Sequence, residues 1–145
     1  MSGTVVRTYA PDKILVLIGT VPMTGFAEDT FVSIAPRADL STIQVGADGE
    51  VARSIGTDKT HEITLTLQQT SPGNDVLSSL MEVDSIAGTA LFPVTIQDLL
   101  GRSIFVVPQA WISRRPTIEY GREAGNREWT ILTGAPSVWF AGGNL

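Results

Sequence analysis

His61 is the only histidine of the chain, and it follows GTDKT at the head of the stretch HEITLTLQQ. A catalytic triad would set it beside a serine nucleophile and an orienting acid, but no Gly-x-Ser-x-Gly stretch supplies that serine. A structural zinc site takes about four nitrogen or sulfur ligands, and one histidine with no cysteine leaves too few. His61 is therefore expected as a solvated or capping residue. Paired carboxylates do acid–base work when a cleft holds them about 5–10 Å apart. Here the 15 acids are scattered over loops and strand starts. No catalytic residue, metal site or cofactor is expected.

The loop GADGE is the second candidate. Gly46, Ala47, Asp48, Gly49 and Glu50 combine acids with glycine, as ion-binding loops do. An EF-hand needs acids at alternating positions and a glutamate at the twelfth, and a phosphate loop needs Gly-Lys-Ser/Thr opening a helix. Neither spacing is present. Asp-Gly between two strand-like runs predicts a hairpin, because glycine accepts positive φ.

The densest charge lies in SRRPTIEYGREAGNREW. Arg114, Arg115, Glu119, Arg122, Glu123, Arg127 and Glu128 alternate in sign, with Trp111, Tyr120, Trp129, Trp139 and Phe140 among or just beyond them. One reading is a solvated hairpin with cross-strand ion pairs of about 0–1 kcal/mol each. The other is a subunit interface, which favours Arg, Trp and Tyr and uses charge pairs to fix register. Base stacking is disfavoured, since acids neighbour nearly every arginine.

Something must position these groups, and the composition says what kind of body. The 145 residues are 43% hydrophobic and suit one domain, residues 1–145, with a real core. With no cysteine, a disulfide scaffold is excluded. A net charge of −5 opposes tight binding to phosphate backbones. The run ILVLIG loosely imitates a signal peptide, yet Pro11 and Asp12 precede it, and Thr20, Pro22 and Gly25 interrupt the segment after it. A strand and a turn account for it better, and it is far shorter than the roughly 20 residues that span a bilayer.

Strands are predicted over residues 13–20, 30–35, 41–45, 50–55, 61–69, 89–96, 104–112, 117–120, 129–133 and 137–140. In residues 61–69 the alternation is strict: Ile63, Leu65 and Leu67 share one face, Glu62, Thr64, Thr66 and Gln68 the other. Pro93 and Pro108 lack a ladder donor and are expected at a bulge or an edge. TSPGNDVLSSLMEVDSIAG breaks the pattern with one helix. Ser71 is its N-cap, Pro72 its first position, and Gly88 its left-handed end. Val76, Leu77, Leu80 and Val83 fall within about 120° of arc as its core stripe.

The order of particular phrases adds a resemblance. YAPDKILVLIGTVPMTGFAEDTFVSI leads to IQVGADGEVARS, then HEITLTLQQTSPGNDVLSSL, then EYGREAGNREWTILTG. Over nearly the whole chain this resembles small structural proteins of contractile-tailed bacteriophages, the tail tube proteins. The resemblance implies a mainly β fold, a β-sandwich or partly open barrel with one flanking α-helix, similar to the type VI secretion tube protein. It implies hexameric rings stacked into an inner tail tube of the virion, assembled in the host cytoplasm. Implied partners are copies of the chain itself, the tail sheath protein, and baseplate and tail-terminator proteins. DNA transits the lumen without specific binding, and the subunit binds no membrane. Under that resemblance the face of Glu62, Thr64, Thr66 and Gln68 lines the channel, since it holds no base to arrest a polyanion. The hairpin of Gly46, Ala47, Asp48, Gly49, Glu50 and Arg53 stacks on the next ring. Arg114, Arg115, Glu119, Arg122, Glu123, Arg127 and Glu128 meet a neighbouring subunit. Alternatives are a polar face that only meets water, a tube-capping or baseplate-hub ring, and a carbohydrate-binding β-sandwich. Against the last, Trp111, Trp129 and Trp139 share no strand.

Overall fold

The computed structural model describes residues 3–145. The alternation in HEITLTLQQ becomes β6 (His61–Gln68): Ile63, Leu65 and Leu67 are buried, while Glu62 and Gln68 are exposed. β6 lies antiparallel between β3 (Val32–Pro36) and β9 (Asn126–Thr133). The sheet continues through β8 (Ile104–Arg114), β7 (Phe92–Asp98), β1 (Ile14–Ile18) and β2 (Val21–Pro22). β10 (Val138–Phe140) pairs with β8 beside the path. β4 (Ser41–Val45) and β5 (Val51–Ile55) form a separate two-stranded sheet.

β8 turns the sheet into a partly open barrel. Its first part pairs with β10 through Ile104, Phe105 and Val106, and its last part with β9 from Ala110 onward. Between them the register against β7 shifts, Val94 facing Val107 but Phe92 facing Ala110. The extra residue is a β-bulge, and it flips the side-chain parity. Phe105 and Val107 are buried before it, Ala110 and Ile112 after it. One strand thus feeds one core from two directions. Pro93 and Pro108 both sit at this bulge, exposed, where a missing ladder donor does no harm.

Helix α1 (Gly73–Ala87) packs against the core of the sheet. Its start follows the sequence closely. Ser71 Oγ accepts the Gly73 N–H at 3.1 Å, and Pro72 already has helical angles. Gly88, at φ 67°, ends the helix left-handed and donates to the Asp84 carbonyl. Leu77 is fully buried, and Val76, Leu80 and Met81 pack against the core. Val83 does not: it is 52% exposed. The core contact is confined to the first half of the helix, so a stripe drawn by periodicity alone runs one turn too far.

A second correction concerns residues 117–120, expected as a strand. Residues 115–125 are instead an irregular loop joining β8 to β9. Pro116 cannot donate to a ladder, and Gly121 and Gly125 favour turns over pairing.

Trp129 ties helix to sheet. It is 1% exposed, and its indole N–H donates to Asn74 Oδ1 at 3.0 Å. Asn74 Nδ2 in turn donates to the Gln68 carbonyl at 2.9 Å. Trp129→Phe keeps an aromatic ring but orphans Asn74 Oδ1 and leaves a small void. A loss of about 1–3 kcal/mol is expected in urea unfolding, with native secondary structure retained.

Candidate assembly surfaces

The hairpin forms for local reasons. Asp48 Oδ1 accepts the Glu50 N–H at 3.1 Å, an Asx turn. Gly46 N–H reaches the Glu50 carbonyl at 2.8 Å, and Gly49 N–H the Gly46 carbonyl at 3.0 Å. Gly49 sits at φ 86°, a conformation that L side chains rarely adopt. Asp48 is thereby spent partly on its own turn.

What the hairpin presents is broader than its tip. The register sets Val45 against Val51, Ile43 against Arg53 and Ser41 against Ile55. Strand alternation puts these residues on one face and Thr42, Gln44, Ala52 and Ser54 on the other. Ile43, Val45, Val51 and Ile55 are 58–70% exposed. A two-stranded ribbon standing alone is marginal in water, and an apolar face left on it marks an interaction site. The signal was only partly in the sequence: Ile43 and Val45 alternate with Gln44, but in VARSI the basic Arg53 takes the place between Val51 and Ile55 on the same face.

The polar face of β6 is part of a larger one. β9 aligns Asn126 with Gln68, Glu128 with Thr66 and Thr130 with Thr64. β3 aligns Ser33 with Thr64 and Ala35 with Glu62. Glu62, Thr64, Thr66 and Gln68 therefore stand together with Ser33, Asn126, Glu128 and Thr130, and with the apolar Ala35 and Leu132 on either side of Glu62. The base at its border is Arg114, in register with Thr130. Glu128, expected at a subunit contact with the other charged residues of that segment, lies on this face, in register with Thr66. Sequence reading omitted Asn126 and Thr130, because which strand lies beside β6 is a long-range property that no local spacing reveals.

The remaining charged residues divide by place. Arg114 closes β8, and Arg115, Glu119, Arg122 and Glu123 lie on the exposed loop. Arg127 alternates with Glu128 and so turns to the core side at the sheet end. Its guanidinium carbon lies 5.5 Å from the Tyr120 ring centroid, within cation–π range. Its Nη1 is buried without a hydrogen-bond partner among the described residues.

Of the two expectations for His61, solvated or capping, the second fits better, for the residue is half-buried and contacts nearby backbone. Its Nδ1 lies 3.0 Å from the Lys59 carbonyl, and its ring meets Phe105 edge-on at 5.4 Å. Nearby, the Thr60 hydroxyl and backbone N–H both donate to Asp58 Oδ1. These two bonds, the hydroxyl's first, hold the Asp58 carboxyl below the usual carboxylate range. Among the described residues no cluster of three or more His, Cys, Asp or Glu could hold a metal, and no helix is long and apolar enough to cross a membrane.

The chain is 34% identical over 132 residues to a structural protein, ORF10, of Pseudomonas phage KPP10, covering 86% of this chain and 76% of that one. In fold it is similar to the tube-terminating cap of the anti-feeding prophage, with TM-score 0.66, 14% identity and 97% of both chains covered. It is similar to the sheath/tube terminator of an extracellular contractile injection system, at TM-score 0.65 and 15% identity over 92% and 97% of the two chains. A chain of that system's sheath–tube complex aligns with TM-score 0.63 and 15% identity over 95% and 93%. The family model described as bacteriophage PhiTE tail tube protein matches residues 22–138, and the chain belongs to that family, a structural component of the phage virion.

Proposed function

We propose that the chain is the repeating subunit of an inner tail tube, built of six-membered rings stacked inside a contractile sheath and conducting DNA at ejection. The observation that carries this is the β4–β5 hairpin, whose apolar face only another molecule can bury. Burying Ile43, Val45, Val51 and Ile55 against a neighbour is worth on the order of 5–10 kcal/mol before the entropy of association is subtracted. A contact of this kind, made head to tail, closes into rings or extends into filaments.

The face shared by β3, β6 and β9 suits the bore. It presents hydroxyls, amides and the acids Glu62 and Glu128, so a sliding polyanion finds no row of cations to release its counterions. Arg114 lies at its margin. The free edge of β3 offers unpaired backbone groups to a strand of the adjacent subunit, which would join the sheets into one barrel. Sheath, terminator and baseplate proteins are the partners expected at the outside and the ends.

A second reading is favoured by the similarity to a tube-terminating cap and a terminator: a ring that ends the tube rather than extending it. Negative-stain microscopy of the purified protein separates the two. Hollow tubes of many rings are expected for a tube subunit. Isolated rings favour the terminator, and monomers at high concentration contradict both.

A further inference from the structure

The two ends of the β6–β9 ladder are differently furnished. His61 pairs with Thr133 at one end and Gln68 with Asn126 at the other, which at 3.3 Å per residue separates them by about 23 Å. At the His61 end lies a groove of about 610 Å³ with Pro36, Leu40, Pro136 and Trp139 in its lining. Asp39 and Asp58 supply carboxylates to that lining and Lys59 one base. At the Gln68 end the loop of residues 115–125 carries Ile118 and Tyr120, 62% and 78% exposed. Arg115 and Arg122 flank them in sequence.

The hairpin shows which ends meet. Leu40 directly precedes β4 and Asp58 closely follows β5, so the hairpin leaves the body at the groove. A copy stacked there head to tail presents its opposite end, which is the loop. The stacked reading of the tube is assumed in this step. We infer that Ile118 and Tyr120 of one copy seat in the groove of the next, with Arg115 and Arg122 directed at Asp39 and Asp58. Knob and socket are different surfaces of the same chain, so the contact is heterologous and repeats without limit. The chemistry matches. Tyrosine and arginine dominate interface hot spots, prolines and Trp139 make a stiff apolar floor, and Arg115 and Arg122 are opposite in charge to Asp39 and Asp58, while Glu119 and Glu123 of the same loop have Lys59 as their counterpart in the groove. The Arg127 guanidinium against the Tyr120 ring holds the knob in place.

The chain has no cysteine, so introduced thiols report the contact alone. A Cβ at Gly121 meets nothing within 4 Å, and Ala38 lines the groove. Within one chain these positions lie at opposite ends of the ladder, far beyond the roughly 7 Å reach of a disulfide. A mixture of Gly121→Cys and Ala38→Cys copies should form a disulfide-linked dimer on mild oxidation, at least tenfold more than either variant alone. The double variant should give a ladder of multimers on non-reducing gels. Adding Tyr120→Ser should lower the yield at least tenfold without moving the unfolding midpoint. Tubes or rings that form with no cross-link would overturn the socket while leaving the ring reading intact. If the unmodified protein stays monomeric in micrographs, the ring reading fails by itself. The mixed-variant assay, run at high protein concentration, then still decides: monomers alone overturn the socket, and a specific dimer upholds it. An unchanged yield in the Tyr120→Ser background overturns the role of the knob.

Discussion

Val45→Asp combined with Val51→Asp should leave a folded subunit that makes no long tubes. The two valines face each other across the hairpin and are 58% and 61% exposed in the isolated chain. Their replacement removes little buried area from the monomer, so its stability should stay within about 1 kcal/mol. In a stack the same positions would bury two like charges facing each other, and every ring joint would repeat the penalty. Truncating the turn by deleting Ala47, Asp48 and Gly49 should act in the same direction. Circular dichroism checks the fold, and sedimentation with electron microscopy checks assembly. Long tubes from the double aspartate variant would remove the hairpin from the stacking contact.

The second large effect is on function after assembly. Thr64→Lys with Thr66→Lys places two bases on the face shared by β3, β6 and β9, opposite Thr130 and Glu128. Both threonines are half-buried at the outer side of the sheet, and tubes should still form. Each ring would then carry a belt of cations toward the DNA. Phosphate contacts add through counterion release, and each one retained multiplies affinity and its salt dependence. Infectivity should fall on the order of 100-fold at physiological salt and recover in part at higher salt during ejection in vitro, where phosphate contacts weaken. Thr64→Glu is the control and should eject normally. Equal infectivity of the lysine and glutamate variants would move the bore to another face.

How far residues alone lead depends on the range over which each feature is decided. The alternation of Ile63, Leu65 and Leu67, the Asp48-Gly49 turn, and the Ser71–Pro72 start and Gly88 end of the helix are decided within a few positions. All of these appear in the fold as read. Features decided by distant segments were not legible. The parity flip at Val107–Ala110 requires a partner strand to define it, and residues 117–120 hold strand-like types whose lack of a partner only the flanking Pro116 and Gly121 hint at. Val83 keeps the helical period but lies beyond the end of the core. The polar face shared by β3, β6 and β9 was half legible: the alternation of β6 announced it, while Asn126, Glu128 and Thr130 joined only through register. The groove assembles residues 36–40, 58–61 and 135–139, which no motif could connect. Sequence located the hairpin and named its turn, while the register adds that Ile43, Val45, Val51 and Ile55 share one exposed face.

The central claim is that copies of this chain enclose a hollow lined by the face of Glu62, Thr64, Thr66 and Glu128. A cryo-electron microscopy reconstruction of the assembled protein tests it most directly. Expected is a tube or stacked ring in which those four side chains reach the central void and Ile43 and Val51 are covered by an adjacent subunit. Finding Thr64 and Thr66 on the outer surface or between subunits, or a void ringed by arginine and lysine, would contradict it.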